Sequence, residues 1–154
     1  MPAAVRDLAT QVQSTLIAAT LFAPPNNDVL DSTRIVVDYL PRFEPKDLAE
    51  TKIVIAPRSQ DLTWISRVSR RREIAIQIAI MQSATPGSEL WDSLLDLTAT
   101  IDETLAAANY AALTNSVNRP GTWLSSSCDL YSIEAAEQHS VFRSVITASY
   151  ALNT

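Results

Sequence analysis

Residues 72–82 read REIAIQIAIMQ, and this stretch decides the fold. Ile74, Ile76, Ile78 and Ile80 recur at every second position. In an extended strand such residues share one face, and four isoleucines on one face need a dry partner surface. Helical winding would scatter them around the axis. The alternate residues Ala75, Gln77, Ala79 and Met81 are small or weakly polar, which suits a surface covered by a neighbour better than one open to water. A strand is expected over residues 72–82, with a core on its isoleucine side.

Working outward toward the C-terminus, Thr85 and Pro86 supply an N-cap oxygen and a first-turn proline. The helix that follows is expected to run to about residue 108. Leu90, Leu94, Leu97, Ile101 and Leu105 form its apolar stripe, Trp91 is expected in the core, and Asp92, Asp96, Asp102 and Glu103 take the remaining surface. Residues 109–127 form a long polar segment with a Pro120-Gly121 turn. A strand is expected at 128–133, a turn at 134–140 and a last strand at 141–152.

Toward the N-terminus, residues 58–69 read as a polar connection, and 52–56 as a short buried strand ended by Pro57. Residues 43–50 can hold one helical turn opening at Pro45, and 34–40 form a strand ended by Pro41. Residues 3–22 are an amphipathic helix carrying Val5, Leu8, Val12, Leu16 and Ala19, stopped by Pro24 and Pro25. The order is αβββαββ. The expected fold is α+β: one domain over residues 1–154, with a mostly antiparallel sheet of about five strands and two main helices on one face.

Composition removes many functions. With two Gly among 154 residues, no Gly-rich dinucleotide loop exists, and no Gly-Lys pair offers a P-loop. One Cys excludes an internal disulfide and a CxxC zinc site, and one His excludes the HExxH class. No cofactor or metal is expected. The net charge of −5 argues against broad nucleic-acid binding, and no apolar run reaches a membrane span. The polar, charge-balanced start of the chain leads to the expectation of a cytosolic, unprocessed protein.

Three constellations stand out. Arg58, Arg67, Arg70, Arg71 and Arg72 gather in an otherwise acidic chain, with Trp64 among them. They read either as a docking surface for carboxylates or as a solvated loop that protects a strand edge. Cys128, Asp129 and His139 contain nucleophile, orienter and base types, but strand alternation sends Cys128 and Asp129 to opposite faces. A structural cysteine and a loop histidine are the plainer account. Asp92, Asp96 and Asp102 lack a histidine or a further inward carboxylate, so they read as a solvated helix face rather than a metal site.

The succession KIVIAPRSQDLTWISRVSRRREIAIQIAIMQ over residues 52–82, a long amphipathic helix, a polar stretch and the closing VFRSVITASYAL resembles the tail terminator, or tail-completion, proteins of tailed bacteriophages. The likeness covers residues 30–152 and rests on order and texture. It implies a small α+β subunit of a homohexameric ring at the head-proximal end of the virion tail, built in the host cytoplasm. Such a ring binds the tail tube protein, stops tube polymerisation and meets a head or neck connector protein, and genome DNA passes through its lumen without specific binding. It carries no catalytic residue. Arg58, Trp64, Arg67, Arg70, Arg71 and Arg72 become the expected subunit or partner interface. The polar 109–127 segment has no counterpart in that pattern. The alternatives are another neck protein, such as a stopper, or a small ligand-binding domain or metal-free enzyme centred on Cys128 or His139.

Overall fold

The computed structural model describes residues 3–24, 28–38, 48–68, 70–107, 122–133, 136–137 and 140–153. In chain order these form helix α1 (Ala3–Ala18), two-residue strands β1 (Phe22–Ala23) and β2 (Asp28–Val29), β3 (Ile35–Val37), β4 (Lys52–Trp64), β5 (Arg70–Ser83), helix α2 (Glu89–Ala107), β6 (Thr122–Asp129) and β7 (Val141–Asn153). The fold is α+β. Its main elements follow the expected αβββαββ order, with a small antiparallel β1–β2 ribbon added after α1.

The five-stranded sheet has the order β3-β4-β5-β7-β6. Its pairings are antiparallel except that β3 lies parallel to β4, so the sheet is mixed. The exception follows from the link: residues 38–51 are enough chain for a crossover, where a tight turn would have forced antiparallel pairing.

β5 is central. Its even positions Ile74, Ile76, Ile78 and Ile80 are fully buried. They join Ile53 and Ile55 of β4 and Phe142, Ile146, Ala148 and Tyr150 of β7 on one face. Both helices close that face: α1 contributes Val5, Leu8, Val12 and Leu16, and α2 contributes Trp91, Leu94, Leu97, Ile101 and Leu105. Trp91 is core as expected, edge-on to Phe142 at 4.9 Å between ring centroids. On the opposite face Ala79 and Met81 bury with Val54 and Leu48, so the chain itself covers part of that surface.

Polar tethers fix the corners. Gln13 of α1 donates to the Ile35 carbonyl at 2.8 Å and pins edge strand β3. The buried Thr51 hydroxyl donates to the Gln82 side chain, whose amide reaches Pro24 O at 3.5 Å. Arg34, 8% exposed, bridges Asp28 and Glu50, each at 3.8 Å. The Thr33 hydroxyl and then its amide donate to the Asp31 carboxylate, at 2.6 and 2.9 Å, and hold its pKa below the ordinary value.

Several boundaries differ from expectation. α1 stops at Ala18, before the prolines, because Thr20 turns to φ 53° and Leu21 then pairs with Leu30. α2 starts at Glu89 rather than at Pro86. Gly87 at φ 79° cannot continue a helix, and Ser88 is the true N-cap, its hydroxyl accepting from Trp91 N at 3.3 Å. β4 does not end at Pro57. A register shift at Pro57/Ser59 absorbs the proline, and the strand continues to Trp64. β6 begins at Thr122 and ends at Asp129, not at Ile133. After it, Ser132 N donates to Arg143 O, and Ala136 N donates to Ser132 O in a helical turn. The Pro41 and Pro45 readings, residues 109–121 and His139 lie outside the described residues.

Ile78→Ala should lower the unfolding free energy by about 2–5 kcal/mol in a denaturant titration, since it empties a fully enclosed site. Thr20→Gly should raise it by about 1 kcal/mol, because a β-branched residue is held at positive φ.

Candidate assembly interface

The arginine segment is mostly strand, and of its five arginines Arg67 alone lies in the connection between β4 and β5. β4 and β5 pair without interruption from Lys52↔Met81 out to Trp64↔Arg70, apart from the one register shift, so residues 58–72 form the outer half of a long hairpin. The isoleucine core stops at Ile74. Every described residue from Arg58 to Val68 is exposed. β7 supports the β5 side as far as Arg71↔Asn153. What remains is an arm that carries the sheet beyond its own core.

Register sorts the arm's side chains. Opposed residues share a face, so Leu62 and Arg72, and Trp64 and Arg70, fall on the same strand face as Ile74. Asp61 and Glu73 oppose one another on the other face, together with Thr63 and Arg71. Two like charges in register repel, and the Arg71–Glu73 ion pair at 3.2 Å offsets that repulsion. Arg70 lies over the Trp64 ring with its guanidinium carbon 4.7 Å from the centroid.

The five arginines therefore have separate fates. Arg58 donates to Gln77 at 2.7 Å across the strands. Arg71 is held by Glu73, and Arg72 is half-buried. Arg67 and Arg70 are exposed at the outer end, Arg70 resting on Trp64. Around them are Trp64 at 61% exposure, Ile65 at 57% and Val68 at 90%. Trp64 was recognisable from sequence, but the apolar weight of Leu62, Ile65 and Val68 was not. Its signal was three large apolar residues in a stretch that has no core to enter.

The other constellations disperse. Cys128 and Asp129 take opposite faces, as alternation requires: Cys128 is opposite Ile146 and Asp129 opposite Val145. Cys128 Sγ is 3.6 Å from Ser144 Oγ and packs against the core. An open depression of about 640 Å³ adjoins this region, and its charged lining residues are Asp129 and Arg143. Asp92 and Asp96 are exposed, and Asp102 accepts from Ser126 at 2.6 Å, tying α2 to β6. Among the described residues no group of three or more His, Cys, Asp or Glu is placed to hold a metal ion. No described helix is long and apolar enough to cross a membrane.

Comparison with known proteins finds no family model that matches the chain and no curated protein similar to it in sequence.

A double-mutant cycle on Trp64→Ala and Arg70→Ala, read by denaturant unfolding, should return a coupling of about 0.5–1 kcal/mol, the strength of an exposed cation–π pair. Ile65→Ala should change stability by less than about 0.5 kcal/mol, because it leaves no cavity behind.

Proposed function

We propose that this chain is a structural assembly protein, a tail terminator of a tailed bacteriophage that caps the tail tube as a ring. The observation that carries the reading is the β4–β5 arm. An exposed indole, three exposed aliphatic side chains and two exposed arginines lie on a structural projection. Apolar surface of this kind, mixed with arginine, has the composition of an interface core. Paired strands hold Leu62, Trp64 and Arg70, while Ile65, Arg67 and Val68 lie in the connection beyond the last pair, Trp64↔Arg70. The α+β fold with both helices on one sheet face agrees with the fold implied by the resemblance over residues 30–152.

In this reading the mechanism is capping by shape and charge. The subunit docks on the last ring of the tube and offers no surface equivalent to the one it covered. Growth stops because the repeating contact has been interrupted. The net charge of −5 suits a conduit that must not retain DNA, since negative walls repel phosphates. A head or neck connector then binds the free side of the ring.

The test is tube assembly in vitro. Purified chain added to polymerising tail tube protein should shorten the tubes and leave density at one end in negative-stain images. The Arg67→Glu and Arg70→Glu double variant should shorten them less, because the arm it disables serves the ring or its seat on the tube. Tubes of unchanged length and bare ends with the parent chain would overturn the assignment.

A further inference from the structure

The arm has a chemical counterpart elsewhere on the same molecule. Helix α2, the turn after α1 and strand β1 enclose an open groove of about 550 Å³ that runs along α2 from Glu89 to Thr104. Leu21, Leu90 and Leu97 line it, and Phe22, 52% exposed, stands at one end. Its charged lining residues are Glu89 and Asp96, and no basic side chain lines it among the described residues. Seven residues apart on one helix, these two carboxylates share a face. Both are exposed. The groove is thus apolar and acidic, and the arm is apolar and basic.

The two surfaces occupy opposite ends of the fold. The arm leaves the sheet at Arg70, the start of β5. The acidic end of the groove lies at the other end of that strand: Ser83 closes β5, Glu89 begins α2, and Gln82 reaches Pro24 beside Phe22. At about 3.3 Å per residue, β5 holds the two ends roughly 40 Å apart. A rigid hairpin cannot turn back over that distance to fill its own groove. Complementary patches at opposite ends of one subunit make a heterologous contact, the kind that closes into rings or runs on into filaments.

We infer that the α1/α2 groove receives the β4–β5 arm of a second copy of this chain, with Arg67 and Arg70 meeting Glu89 and Asp96 and the Trp64, Ile65 and Val68 side chains covering Leu21, Phe22 and Leu90. This deepens the ring reading above by naming the contact between subunits, and it rests on that reading for its closure into a ring.

The experiment is a charge exchange on the full chain, read by sedimentation velocity and native mass spectrometry. The arm variant carries Arg67→Glu and Arg70→Glu, and the groove variant carries Glu89→Arg and Asp96→Arg. All four positions are exposed, so each variant should stay folded, with thermal unfolding only modestly below the parent's because Arg70 leaves the Trp64 ring and Glu89 leaves the first turn of α2. Each variant alone should self-associate at least about tenfold more weakly than the parent. The chain bearing all four changes should recover most of the parent's association. An equimolar mixture of arm and groove variants should regain association with the two chains alternating, because the reversed arm meets the reversed groove at one contact and the parental arm meets the parental groove at the next, while each variant repels its own kind. Val68→Asp supplies an apolar arm variant that should behave as the charge-reversed arm does alone.

A parent chain that remains monomeric overturns this contact. So do rings or oligomers that survive both variants, although the ring reading then stands on another interface. Arm–groove pairing without any effect on tube length supports the contact and overturns the tail-terminator reading.

Discussion

Everything in this fold depends on one strand having a dry side. β5 pairs along its whole length, with β4 on one edge and β7 on the other. Its four isoleucines enter the space between the sheet and both helices. Burying such side chains contributes about 1.5–3 kcal/mol each, and the alternation allows only one register to realise that gain. A slip of one residue would send Ala75, Gln77 and Ala79 inward and four isoleucines outward. The positions of β4, β7, α1 and α2 are consequences of covering that ladder. The smaller polar contacts then choose among nearby arrangements: Gln13 on β3, Thr51 on Gln82, and Ser126 on Asp102.

The same strand explains the arm. Hydrogen bonding between β4 and β5 does not end where the core ends, because each ladder bond requires only its partner strand. An isolated hairpin is marginal in water, and this one is braced. Its base is fixed in the five-stranded sheet, and β7 extends along β5 to Arg71. Its open face carries a repulsion, Asp61 against Glu73, that Arg71 offsets. Its other face shields the Trp64 ring with Arg70. These are local solutions to keeping a projection folded without a core beneath it. Among the described residues Arg67 and Arg70 make no ion pair with a carboxylate, and both are exposed.

The contrast between the two halves of β5 separates what the sequence disclosed from what it concealed. In the buried half the isoleucines alternate, as burial does from Val141 to Tyr150, because one face meets the main core, while Ala79 and Met81 on the other face pack with Val54 and Leu48. The outer part of β4 is exposed on both faces, so no periodicity marks residues 58–64 as strand. Pro57 strengthened the misreading: it resembles a terminator, but a register shift accommodates it. β6 hid for a similar reason, since the Ser125-Ser126-Ser127 run on an edge strand has no apolar repeat. The start of α2 turned on a single backbone angle at Gly87, which made Ser88 rather than Thr85 the cap. Residue types near the interface were legible, and their grouping was not. Five arginines in sequence became a cross-strand bond, an ion pair, a half-buried side chain and two exposed charges only once register was known.

The polarity of the molecule places a constraint on how it can assemble. A basic apolar projection at one end and an acidic apolar groove at the other cannot both be satisfied in a two-fold dimer through a single arm, because one contact leaves an arm and a groove open. A twofold dimer would satisfy both only by setting two subunits antiparallel, each arm roughly 40 Å along the sheet from its own groove. Addition in one direction has no such requirement. In the proposed contact each added subunit fills one groove and presents another, and only the rotation between neighbours decides whether the chain of contacts closes. A rigid arm fixes that rotation more tightly than a flexible loop would, since strand pairing on both sides of its base sets the direction in which it leaves. In that proposal the long pairing of β5 supplies both the core and the geometry between copies.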